Sequence, residues 1–82
     1  MQELNFSITV EPGRYRHYKG KEYEVLGMAL HSETLEQLVV YKPLYLTPDV
    51  PAEILWVRPA SMFEEMVETE NGKVQRFCRI GN

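Results

Sequence analysis

One cysteine, Cys78, in 82 residues excludes an internal disulfide framework and any cysteine-rich metal site. That usage fits a reducing compartment, so a cytoplasmic location is expected. Paired metal ligands are missing too. The chain has no Cys-x-x-Cys and no His-x-x-x-His, and neither a metal nor any other cofactor is expected. Long apolar runs are also absent: no stretch approaches the ~20 apolar residues of a membrane span. The opening "MQELNFSITV" carries neither a cationic leader nor the apolar centre of a secretion signal. No membrane partner is therefore expected. Positive charge is scarce, with 9 Lys and Arg against 12 Asp and Glu and a formal net charge of -3. That balance argues against a protein that coats nucleic acid, since counterion release needs clustered cations. Low-complexity tracts, internal repeats and linkers are lacking as well, so the chain reads as one unit.

What is present is an ordinary folding composition, 44% hydrophobic and 26% charged. A chain this short buries only about 60–65% of its unfolded surface and builds one modest core. Its net stability is about 5 kcal/mol, so most large apolar residues are needed for packing before any is assigned to function.

Alternation organises the chain. "LNFSITV" sets Leu4, Phe6, Ile8 and Val10 against polar partners, so residues 1–12 read as an N-terminal strand or arm ahead of a domain over 13–82. In "EYEV", Glu22 and Glu24 favour water and direct Tyr23 and Val25 inward. Gly27 permits a bulge in what reads as one long bent strand from Glu22 to His31. Ser32 to Leu35 fits a four-residue hairpin loop before the β-rich run Leu38 to Tyr41, with a helix start at Ser32 as the competitor. Pro43 makes the end of that run edge-like or bulged. Ile54 to Arg58 reads as a strand closed by Pro59, with a helical turn through Ala60, Ser61 and Met62 that drops Phe63 into the core. Asn71-Gly72 reads as a two-residue turn, which places Glu70 opposite Lys73, Met66 opposite Phe77 and Glu64 opposite Arg79.

Five to six short strands, frequent turns and one short helical turn indicate an all-β fold, a small, strongly bent barrel. Three ordered blocks carry a resemblance: "GRYRHYKG", "YEVLGMALHSETLEQLVVYKPLY" and "LWVRPASMF". Over roughly Gly13 to Phe77 the chain resembles the small bacterial family catalogued as domain of unknown function 1653. The resemblance implies an SH3-like barrel and no established activity. Two places depart from the family's pattern: Leu30 stands where an arginine often precedes "HSET", and the loop "LTPDVPAE" is longer and richer in proline.

The residues rank several functions. First is a noncatalytic small-barrel binding module for a protein or peptide partner. Its expected contact residues are Tyr15, His17, Tyr41, Tyr45, Trp56 and Arg58, with Tyr18 among the exposed aromatics and His31 at a loop tip. "ILWVRP" is apolar on both faces, however, so alternation leaves open whether Trp56 is core or surface. Second is a nucleic-acid module using the cationic strip Arg14, Arg16, Lys19 and Lys21. The blander alternative makes that strip a solvated rim balancing the acidic run Glu64, Glu65, Glu68 and Glu70. Third is a small-ligand or enzymatic site around His17, His31 and Glu33, although no base and nucleophile stand at a recognisable spacing and an enzyme is not the expectation. Joint proton transfer loses its basis if the two imidazoles lie more than about 10 Å apart or are each satisfied by backbone. A structural or oligomerising domain, using the Pro43 edge or the N-terminal arm, is the last class. The oligomeric state is open.

Overall fold

The computed structural model describes residues 8–45, 48–51 and 53–81. In order they form β1 (Gly13–His17), β2 (Glu22–Leu30), β3 (Gln37–Pro43), β4 (Trp56–Pro59), α1 (Ala60–Phe63), β5 (Met66–Thr69), β6 (Gly72–Gln75) and β7 (Phe77–Gly81). Five strands make one antiparallel sheet in the order β4-β3-β2-β1-β7, and β5 with β6 makes a separate hairpin. The all-β class and the short helical turn agree with the sequence reading. Among the described residues there are seven strands rather than five or six; the terminal run breaks at Arg76 and supplies two of them.

The sheet is strongly curled. Five strands laid flat at ~4.8 Å spacing would hold β4 and β7 about 19 Å apart, and side chains standing perpendicular to such a sheet keep that spacing. Yet the Arg58 guanidinium carbon on β4 lies 5.5 Å from the centre of the Phe77 ring on β7. Tyr41 on β3 lies 6.0 Å from the same ring. The two edges therefore meet through side chains, and no backbone ladder joins β4 to β7 among the described residues. The bend in β2 comes where the sequence suggests: the pairing with β3 slips between Val25 and Gly27, leaving Leu26 as the extra residue of a bulge.

One aromatic cluster fills the inside of this curl. Phe63 and Phe77 stack with ring centres 4.1 Å apart and planes 2° from parallel. Tyr15 and Tyr41 pack edge-on against Phe63, at 5.4 and 5.7 Å, and Tyr23 packs edge-on against Phe77 at 5.5 Å. Val10, Val25, Val39 and Ala60 complete the buried set. Burying tyrosines obliges each hydroxyl to find a partner. Tyr15 donates to the carbonyl of Glu11 at 2.8 Å, Tyr23 shares a hydrogen bond with Tyr45 at 3.1 Å, and Tyr41 accepts from Arg58 Nε at 3.4 Å. The first bond, with the burial of Val10 and a 3.0 Å bond from Arg79 to the carbonyl of Pro12, ties residues 10–12 to the sheet. The expected alternation over the first residues fails within the described part, since Val10 is buried while Ile8 is exposed. Leu4 and Phe6 lie outside the described residues.

The register of the terminal hairpin differs from the sequence reading. Glu68 faces Lys73, Met66 faces Gln75 and Thr69 faces Gly72, so Glu70 and Asn71 are the turn. Positive φ falls on Gly72 (+102°) and not on Asn71, which excludes the type I′ turn. Thr69 fixes the alternative: its hydroxyl donates to the carbonyl of Gly72 at 2.8 Å and accepts from the amide of Asn71 at 3.2 Å. Phe77 and Arg79 then pair with His17 and Tyr15 on β1 rather than with β5. At the other end of this pairing Gly13 is obligatory. Its φ is +145°, and a Cβ there would meet the carbonyl oxygen of Gly81 at 2.6 Å.

Pro59, with φ of −54°, sets up the single turn of α1 and delivers Phe63 to the stack with its side chain fully buried. Phe63→Ala should lose about 3–5 kcal/mol, most of the stability a domain this size possesses. Urea unfolding followed by Trp56 fluorescence checks this, and a cooperative transition at the wild-type midpoint would refute the central role of the stack.

Candidate functional site

The aromatic residues suggested as a contact surface are mainly interior. Tyr15 is 7% exposed and Tyr41 3%, so neither presents a face to a partner. Tyr41 was expected on the surface. It is inside because Val39 and Tyr41 share the inward side of β3, leaving Leu38, Val40 and Lys42 outward. Tyr45 and Trp56 are half-buried against the core. Arg58 is half-buried too, held by the Tyr41 hydroxyl and lying over Phe77. Strand β4, which begins at Trp56 rather than Ile54, resolves the ambiguity of "ILWVRP": Trp56 and Arg58 point inward, while Val57 points out and is 58% exposed.

The cationic strip is divided as the two-residue period requires, with Arg14 and Arg16 exposed and Tyr15 and His17 on the other side. Its acids are not those of the 64–70 run. Arg14 Nε lies 3.9 Å and Arg16 Nη2 3.3 Å from the carboxylate of Glu22 across the β1–β2 pair, so two cations converge on one acid. Glu24 pairs with Lys42 at 3.6 Å, and from the acidic run Glu65 pairs with Arg76 at 2.5 Å. Exposed pairs of this kind contribute about 0.2–1 kcal/mol each. Lys19 and Lys21 lie over the rings of Tyr18 and Tyr45, 5.8 and 4.4 Å from their centres.

The two histidines are kept apart. His17 hydrogen-bonds to Lys21 through its backbone at the start of β2, and His31 follows the strand's end. Between them β2 spans about 25 Å at ~3.3 Å per residue. His31 Nδ1 accepts the amides of Glu33 and Thr34 at 3.1 and 3.2 Å, which closes the four-residue loop Ser32 to Leu35 and gives the imidazole a turn-forming task. His17 Nδ1 accepts the amide of Lys19 at 3.2 Å. Each ring is thus engaged by local backbone, and no joint proton transfer links His17 with His31 and Glu33. Cys78 is exposed, opposite Arg16 across the β1–β7 pair. No cluster of three potential metal ligands occurs among the described residues, and no helix there is long and apolar enough to cross a membrane.

The structure brings forward residues that the motif search missed. On the outward side of the sheet, Val57 on β4 pairs with Val40 on β3, which pairs with Gly27 on β2. The adjacent row is Pro59, Leu38 and Ala29, and the bulged Leu26 is 42% exposed beside them. A Cβ built on Gly27 would meet nothing within 4 Å, so the space above it is open. The Lys42–Glu24 ion pair bounds this apolar face on one side. Its signal in the sequence was "LGMAL" and "LVV", apolar on both faces, but only the register shows which residues meet. Two concavities lie elsewhere: one of about 290 Å³ beside Val10, Tyr15, Phe63 and Arg79, and one of about 330 Å³ beside His17.

Fold and surface together define a small curled-sheet domain with one aromatic core and an apolar outer face. The chain belongs to the family described as protein of unknown function DUF1653, whose model matches residues 13–79. A crystal structure of a DUF1653 protein from Bordetella bronchiseptica is similar to it, with 40% identity, a TM-score of 0.80, and coverage of 89% of this chain and 90% of that one. No curated protein matches.

The His17 environment has a measurable consequence. Burial, reinforced by the charges of Arg76, Arg58 and Lys19, lowers its pKa below the ordinary value of 6.5. Above that value both folded and unfolded chains carry a neutral ring; as pH falls, the unfolded chain takes up the proton first and stability is lost through the folded pKa. The urea midpoint should therefore fall as the pH drops below about 7, less steeply in His17→Gln. Equal slopes in the two proteins would show that His17 is not the group responsible.

Proposed function

We propose that the domain is a noncatalytic binding module for a protein or peptide partner, acting in the bacterial cytoplasm. The observation that carries the proposal is the outward apolar face of β2, β3 and β4, with Val57 at its centre edge. Monomeric domains rarely leave contiguous apolar side chains in water unless something covers them, and among the described residues β4 is an edge strand beside the patch. The partner reading also suits the engagement of Arg14 and Arg16 by Glu22, which leaves the cationic strip a smaller claim on phosphates. The free, exposed thiol of Cys78 and the bacterial origin of the DUF1653 relative support the location.

The test is capture of partners from the native cell on the immobilised domain, with Val57→Lys as the variant. Val57 is exposed, so the substitution should change stability by no more than about 0.5 kcal/mol. Binding of a captured protein should weaken by at least about tenfold, the scale of a well-packed apolar contact. Retention of the same proteins by Val57→Lys would remove this face from the interface. Salt-sensitive binding of a labelled RNA pool, with no protein captured, would favour the cationic strip instead.

A further inference from the structure

The concavity beside His17 involves none of the residues of the outer face. Its volume of about 330 Å³ falls in the range of small-molecule sites. It is lined by Val74 and Gln75 from β6, by Cys78 and Ile80 from β7, and by Arg16, His17 and the following Tyr18 at the end of β1, where residues from both faces of the strand border it. We propose that this groove binds a small organic carboxylate with a short apolar tail, its carboxylate toward Arg16 and His17 and its tail over Val74 and Ile80.

The lining is rich in donors. Arg16 is 54% exposed and spends a single contact on Glu22, which leaves further N–H groups of its guanidinium for an anion. In the neutral His17 ring, Nδ1 accepts from the Lys19 amide, so the hydrogen resides on Nε2 and that atom is a donor. Among the described residues no carboxylate lines the groove. The charged groups that act on His17 are cationic: Arg76 between β6 and β7, Arg58 on β4 and Lys19 in the adjoining turn. Of these, Arg76 is paired with Glu65; Arg16 is paired with Glu22, which lies outside the groove's lining, so a bound anion meets cations on the lining itself. The other lining residues that bear ionisable groups are Tyr18 and Cys78. Val74 and Ile80 distinguish an organic acid from inorganic phosphate, which would leave both uncovered.

Binding of an anion here must raise the His17 pKa, and by linkage the affinity must increase as pH falls through the titration of that ring. The experiment is an NMR titration of the full chain with benzoate, following the His17 imidazole across pH with and without the probe. Acetate and inorganic phosphate serve as tailless comparisons. The expected result is an upward shift of the His17 titration at millimolar benzoate, with perturbed methyl signals at Val74 and Ile80 and binding about tenfold weaker for acetate and phosphate. Arg16→Gln, on the surface and folded by its unchanged spectrum, should weaken benzoate by about tenfold. An unmoved His17 titration, equal effects of benzoate and acetate, or full benzoate affinity in Arg16→Gln would each overturn the assignment.

Discussion

The stack of Phe63 on Phe77 is the contact that the rest of the domain depends on. One ring arrives from a single helical turn after β4 and the other opens β7, so the stack joins two edges of the sheet that no backbone ladder joins among the described residues. Three tyrosines pack edge-on around it, each from a different strand of the sheet. Because aromatic side chains bring large areas with few rotatable bonds, an 82-residue chain can assemble a core from a handful of them. The tyrosine hydroxyls are then satisfied by Glu11, Tyr45 and Arg58, which turns the rim of the core into a polar collar.

That arrangement explains which expectations could be read from the residues and which could not. Alternation around Glu22 and Glu24 sufficed to bury Tyr23 and Val25, and the bulge at Gly27 and the loop after His31 followed from local chemistry. So did the turn that buries Phe63. The inward placement of Tyr41 and the outward placement of Val57 did not. Both sit in runs apolar on each face, where the side of the sheet is decided by pairing with distant strands. The terminal hairpin failed for a related reason: Asn-Gly is a strong local signal, but Thr69 and the demand for Phe77 in the core moved the turn by one residue. For the site, the sequence named His17 and Arg16 but joined His17 to His31, which β2 holds at its opposite end. The apolar outer face carried no motif and became visible only when Val57, Val40 and Gly27 were aligned.

Electrostatics are similarly local. The cationic strip and the acidic run looked complementary along the chain, yet Arg14 and Arg16 take Glu22, Lys42 takes Glu24 and Arg76 takes Glu65, while Lys19 and Lys21 lie over tyrosine rings. At exposed positions such pairs add little stability. Their effect is to set where charge is spent and where it is left to act, and His17, beside Arg16, Lys19, Arg58 and Arg76, stands where positive charge gathers.

The hairpin of β5 and β6 leaves the core at Phe63 and comes back to it at Phe77, two rings in direct contact, with Glu65 and Arg76 bonded across its base through backbone and side chain. Topologically it is an excursion that begins and ends at one point. Lengthening such an excursion costs only about 0.6 kcal/mol per doubling, so its length can drift between relatives, or accept an inserted segment, while the core beneath remains unchanged.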